Sequence, residues 1–161
     1  MEIALHERTA ATVAAYFEKT QNPAIRKTLP QKAKSMEEAL ADFAKTQLPG
    51  ATSYGRTIYA DEQYVGDVWI YGIDRNDTPN AMLSYCVFEQ ELWGKGVATE
   101  VVRLFLKETQ RKFGLLTVGA FTYAENIASI RVLEKNNFEL VEEFVEDGVI
   151  SHYYQKNTCA V

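Results

Sequence analysis

Cysteine is nearly missing from this chain: Cys86 and Cys159 are the two present in 161 residues. Without a CxxC pair or a His/Cys cluster, neither a disulfide framework nor a metal site is expected, and a reducing cytoplasm is the expected compartment. Cys86 lies in an apolar run and reads as a small core residue, whereas Cys159 lies in a polar tail. Long hydrophobic runs are lacking too. Nothing approaches the roughly 18 residues of a membrane span, and the opening MEIALHERTA has no basic head followed by an apolar stretch, so no secretory signal is expected. Basic residues are outnumbered, 17 Lys and Arg against 22 Asp and Glu, for a net charge of −5. That balance argues against a sequence-independent grip on nucleic acid, which needs clustered positive charge. It favours solubility and, more weakly, cationic partners. Repeats and low-complexity linkers are also wanting, and the length and 47% hydrophobic content suit one domain with a substantial core. We place that domain at 1–156, with 157–161 as a tail.

What is present is an alternation of strand and helix signals. EIALHE alternates like a short strand. Thr9 or Thr12 can cap a helix through AATVAAYFEKT, ended by QNP, and Ser35 with Glu38 forms a capping box for SMEEALADFAKTQ, stopped at Pro49-Gly50. YGRTIYADEQYVGDVWIYGI reads as two strands turning near DEQ, and AMLSYCVFE as a third, apolar enough to be buried on both faces. The spacing predicts a helix over Gly94 to Phe113, a buried strand at LLTVGAFTY, and a helix at NIASIRVLEKN capped by Asn126 and stopped at Asn136-Asn137. FELVEEFVEDGVISHYYQ is a closing hairpin turned at Asp147-Gly148. The fold class is therefore α+β: a mixed, mostly antiparallel seven-stranded sheet with one parallel pair, flanked by about four helices.

Between the third strand and the third helix stands ELWGKGVATE. Gly94 and Gly96 remove Cβ atoms just where a helix start presents free N–H groups and a positive dipole end, and Lys95 adds charge. This pattern suits a phosphate cradle, although G-x-G at such a junction is also an ordinary tight turn. It is neither a Walker loop nor a dinucleotide fingerprint, since Thr99 stands where the third glycine would be.

One strand later comes Asn126-Ile-Ala-Ser129-Ile-Arg131-Val-Leu-Glu134-Lys135-Asn-Asn137-Phe138. With the glycine loop, this resembles the GNAT superfamily of acyl-CoA-dependent N-acetyltransferases, in particular the branch of ribosomal-protein N-terminal alanine acetyltransferases. The resemblance covers nearly the whole chain. Two positions depart from the family pattern. Glu91 replaces Gln or Arg at the loop start and is expected to face solvent, and Asn137 replaces Gly, which Asn tolerates in a left-handed conformation.

By resemblance, acetyl-CoA is the cosubstrate and no metal is needed. The cofactor-binding residues implied are Val87, Phe88, Glu89, Trp93, Gly94, Lys95, Gly96, Val97, Ala98, Thr99, Asn126 and Ser129. The pyrophosphate would lie on Gly94 to Thr99. The pantetheine arm would pair with the third-strand edge where it splays at a bulge, with Asn126 bonding it or serving only as a helix cap. An N–H near Phe88 or Glu89 would receive the oxyanion. Ser129 would protonate the leaving thiolate, or merely bond backbone in its helix. Glu89 is the candidate base, directly or through water, or an ordinary solvated carboxylate. Tyr85, Tyr123 and Tyr153 are further acid or wall candidates, though tyrosines more often pack. His6 reads as structural, and His152 as a residue at the border of the acceptor cleft. The acceptor, a primary amine such as a peptide N-terminus, polyamine or antibiotic amine, would be held by the first two helices and the last hairpin. NPAIRKTLPQKAKS would form a lid, and the acidic VEEFVEDG would attract a cation or simply be solvated. A homodimer is one arrangement open to such a chain. The alternative from another class is a non-catalytic acyl-CoA sensor or interaction module.

Overall fold

The termini of the helices show how local sequence sets the frame. In the computed structural model, which describes residues 1–28 and 33–157, Thr9 and Thr12 cap α1 (Ala10–Lys19) reciprocally. The Thr9 hydroxyl accepts from the Thr12 N–H at 3.2 Å, and Thr12 Oγ1 accepts from the Thr9 N–H at 2.9 Å. Asn22-Pro23, expected only to end α1, opens a short helix α2 (Pro23–Arg26). Asn22 Oδ1 accepts from the Ala24 N–H and Pro23 takes the first helical position, where its missing donor does no harm. Ser35 caps α3 (Met36–Thr46), but Glu38 reaches back to the Lys34 N–H rather than to that of Ser35.

Seven strands follow the predicted order: β1 (Ile3–Glu7), β2 (Tyr54–Ala60), β3 (Gln63–Asp74), β4 (Asn80–Val87), β5 (Thr117–Tyr123), β6 (Glu139–Glu146) and β7 (Val149–Asn157). They form one sheet in the order β1-β2-β3-β4-β5-β7-β6. Neighbours are antiparallel except β4 and β5, which run parallel through the crossover helix α4 (Val97–Phe113). With α5 (Ile127–Lys135), the described residues hold five α-helices. The added one is α2.

The core lies between α4, α5 and one sheet face. Val101, Phe105 and Leu133 pack with Ile58, Val68, Ile70, Leu83, Val118 and Tyr154. On the opposite face a smaller cluster joins Ile25 of α2 to Cys86 and Phe88, with Tyr16 and Tyr64 against it. Ile25 is 1% exposed, so the first part of the expected lid is anchored on the sheet; its residues 29–32 lie outside the described residues. The tail residues 158–161, including Cys159, also lie outside them, and β7 itself runs to Asn157.

Candidate active site

β4 and β5 pair only at Asn80–Thr117, Ala81–Val118 and Met82–Gly119. Beyond that seam they part. A cleft of about 340 Å³ fills the gap, and the unbroken run Leu83 to Val87 lines it. Successive side chains of a strand point to opposite faces. A ligand space that touches five in a row therefore meets the strand along its edge and passes through the sheet. Across from it stand Ala120, Phe121 and Thr122 of β5.

Backbone alternation fixes which groups face the gap. The Phe88 N–H donates to the Val65 carbonyl on β3 at 2.9 Å. The residue before it, Val87, is thus turned to the other edge, and its carbonyl accepts from the Trp93 indole at 2.7 Å. By the same parity Tyr85 and Val87 aim their N–H groups into the gap. Of the two expected oxyanion donors, Phe88 and Glu89, this corrects the first: the Phe88 N–H is committed to β3. The bulge expected there is likewise not formed: β3–β4 pairing holds register from Tyr71–Met82 to Gly66–Val87, and its shift lies at the other end, between Tyr71 and Asp74.

At the mouth, Gln90–Leu92 makes one 3-10 turn and α4 begins at Val97, three residues later than predicted. The delay has a cause: Gly94 and Gly96 have φ of +77° and +82°, in the left-handed region. Gly96 is the N-cap and offers no side chain to the first-turn N–H groups. A Cβ at either glycine would meet no atom within 4 Å, so the space over the loop is open. Asn136, 5% exposed, donates to the Thr99 carbonyl at 3.2 Å and ties the end of α5 to this first turn. Arg131 and Lys135, one helical turn apart on α5, are the charged residues of the lining. Their i, i+4 spacing was readable, but nothing local said that this face of α5 meets the glycine loop.

Asn126 caps α5, its Oδ1 accepting from the Ser129 N–H at 3.2 Å. The Ser129 hydroxyl meets Tyr85 Oη from across the cleft at 3.1 Å, in place of a bond to its own helix. Burial pushes the Tyr85 phenol up to about 12, against the opposing effect of this hydrogen bond. Burial likewise pushes the Cys86 thiol, also in the lining, up to about 12.

Of the residues singled out from sequence, Val87, Trp93, Gly94, Gly96, Val97, Ala98, Thr99, Asn126 and Ser129 come together in the lining. Phe88, Glu89 and Lys95 do not. Phe88 is 6% exposed and packs edge-on against Tyr16 and Tyr64. Glu89 precedes the 3-10 turn, half-buried and outside the cleft. Lys95 and Glu91 are exposed. Of the elements expected to hold the acceptor, no described residue of α1, of α3 or of the β6–β7 hairpin lines this cleft; Ile25 of α2 and Thr28 after it do. His152 pairs with Glu143 at 2.8 Å, and His6 stands edge-on to Tyr59. Tyr153 packs on Phe121 and borders a second cavity of about 200 Å³ with Met82 and Gly119.

A parallel strand pair that opens around a glycine loop and helix start is matched by sequence as well: the acetyltransferase (GNAT) domain family matches residues 3–139. The chain belongs to the GNAT acetyltransferase family. It is thereby an acyltransferase. No curated protein matches it by sequence. Among solved structures, the GNAT fold is shared with spermidine N-acetyltransferase from Vibrio cholerae in complex with CoA and spermine, at TM-score 0.85 and 15% identity over 96% of this chain and 95% of that one. A ribosomal alpha-N-protein acetyltransferase in complex with coenzyme A matches at 0.80 and 17%, over 96% and 93%. An aminoglycoside acetyltransferase in complex with coenzyme A matches at 0.79 and 14%, over 98% and 95%. At these identities the likeness shows the fold of this GNAT chain. Among the described residues no helix is long and apolar enough to cross a membrane.

Proposed function

We propose that this protein transfers an acetyl group from acetyl-CoA to a primary amine, either a protein N-terminus or a small amine. The through-sheet cleft is the observation that carries the reading: an amide-bearing arm laid in it pairs with the Tyr85 and Val87 backbone as an added strand. The glycine loop fits a pyrophosphate. Its left-handed glycines leave the first N–H groups of α4 uncapped, the space above is open, and Arg131 and Lys135 add positive charge beside it. Val97, Ala98 and Thr99 hold the phosphates through backbone, and exposed Lys95 adds charge from the solvent side. Trp93 fixes the loop to the end of β4. With its Oδ1 engaged in the cap, Asn126 offers its amide NH2 to a pantetheine carbonyl.

When bound, acetyl-CoA supplies an activated acyl carbon and a thiolate leaving group. With the Val87 carbonyl held by Trp93 and its N–H taken by the arm, the Tyr85 N–H, deeper in the gap and beside Ser129, serves as the oxyanion donor, and Ser129 meets the leaving sulfur. Glu89 lies outside the lining, so it takes the ammonium proton through water. Amines as different as kanamycin and spermine bind the neighbours, and one fold hosts many acceptors, so the acceptor class stays at primary amine.

The test is acceptor-dependent thiol release from acetyl-CoA with free-N-terminal peptides, polyamines and aminoglycosides, beside calorimetry with CoA and with 3′,5′-ADP. Release with one class names the acceptor, and CoA binding tighter than that of 3′,5′-ADP places the arm in the gap. Absence of CoA binding overturns the reading. CoA binding without release for any of these amines would place the acceptor outside the panel.

A further inference from the structure

The hydroxyls of Tyr85 on β4 and Ser129 on α5 come from opposite walls of the cleft and meet at 3.1 Å. Either oxygen has the geometry to donate. Ser129 sits in the first turn of α5, where Asn126 takes its N–H and fixes its backbone. Its χ1 rotor is the remaining freedom. A lone serine there would turn its proton to a backbone acceptor of its own helix, the usual habit of the residue. Tyr85 instead reaches its oxygen. If Tyr85 donates, the serine proton is the one left over in the pair, free to turn into the gap that both residues line.

We propose that Tyr85 is a positioning residue: by donating to Ser129 Oγ, it aims the serine proton at the sulfur of a thioester threaded through the cleft. The idea rests on the function proposed above. It gives the pair a limited task. Burial raises the phenol to about 12, roughly 3.5 units above an ordinary thiol, so Tyr85 keeps its proton when a thiolate leaves. The pair donates one charge-assisted hydrogen bond to the sulfur and loses neither proton. The proton the sulfur gains is the one the amine gives up as the C–N bond forms and the C–S bond breaks.

The readout is the thiol pKa of bound CoA, followed by thiolate absorbance in a Cys159→Ser background. Cys86, with its thiol near 12, stays silent over the range of that titration. Arg131 and Lys135, the charged side chains of the lining, are unchanged across the variants, so their field cancels. A donor to the sulfur lowers the bound-thiol pKa. Tyr85→Phe and Ser129→Ala should each raise it by about one unit relative to the unsubstituted cleft. The double variant should shift it no further than Ser129→Ala alone, because Tyr85 acts through Ser129. The CoA Kd at low pH, where the thiol is neutral, should stay within about threefold and shows that the cleft is intact. Additive shifts, or an unchanged pKa in Tyr85→Phe with CoA bound, overturn the proposal. Failure of the unsubstituted protein to bind CoA would instead defeat the function on which it rests.

Discussion

Substituting Gly96→Ala separates the two reasons for a glycine at the front of α4. The residue has φ +82°, and an added Cβ would touch nothing within 4 Å. Sterics within the free protein therefore add nothing, and the cost is the left-handed backbone of a non-glycine residue, about 1–2 kcal/mol. For a chain of this length that corresponds to a fall in Tm of about 2–4 °C per kcal/mol. Gly72 supplies the control, with φ +60° and the same open surroundings on β3, away from the cleft lining. Gly72→Ala should lower Tm by a similar amount. The two should part on ligand binding. At Gly96 the new methyl group and the strained loop displace a phosphate from at least one backbone N–H, and a hydrogen bond to a charged group is worth about 1.5–3 kcal/mol. That predicts a CoA Kd raised about tenfold to a hundredfold in Gly96→Ala and unchanged in Gly72→Ala. Thermal melts and calorimetry on both variants decide it. Equal CoA affinity in the two, at equal loss of Tm, would refute the placing of the pyrophosphate on this loop.

Three further outcomes are expected. Replacing Arg131 and Lys135 together by Ala should weaken CoA by about fivefold per residue at low salt, with the difference shrinking in a salt titration by calorimetry. Asp67, 2% exposed, is held by Arg8 at 3.1 Å and by the Tyr64 hydroxyl at 2.6 Å; Asp67→Ala should lower unfolding free energy by about 3–5 kcal/mol in urea melts, by stranding the Arg8 charge. Cys86 should resist iodoacetamide at pH 9 in the folded Cys159→Ser protein and react on unfolding. Its thiol rises from 9.0 to about 12 in the fold, so the stability it lends is complete below pH 9 and is lost as pH climbs towards 12.

Element order was readable because the helices announce their caps and the strands their turns. Thr9, Ser35 and Asn126 all cap as their sequence neighbours suggest. The glycine loop and the Asn126–Ser129 turn were legible as chemistry for the same reason: each is a local pattern. What sequence could not supply was parity. AMLSYCVFE is apolar nearly throughout, so no alternation says which side chains face α5 and which face α2. Pleat geometry then sent Phe88 to the α2 side and left Val87 at the gap. Contacts between distant segments were equally silent. Arg8 with Asp67, and Tyr85 with Ser129, are separated by 59 and 44 residues and carry no local signature. Helix α2 has no distinct signature because Asn-Pro serves as a stop signal and a start signal alike, and the buried Ile25 that selects the second is a single bulky apolar residue between Ala24 and Arg26.

The seam between β4 and β5 makes the seven strands one sheet through only three residue pairs. Mechanically the chain is two leaves, β1 to β4 and β5 with β7 and β6, bound along a short spine and backed by α4 and α5. An arm laid between the leaves would stitch the open length of that spine with backbone hydrogen bonds, and an acyl donor bound that way would be a temporary structural member of the protein. Amide exchange should then slow most on Tyr85 and Val87, on the β4 bank of the opening, while strands away from it barely respond. Turnover in such a molecule would carry a rhythm of stitching and unstitching, with the sheet giving way again as the spent carrier leaves.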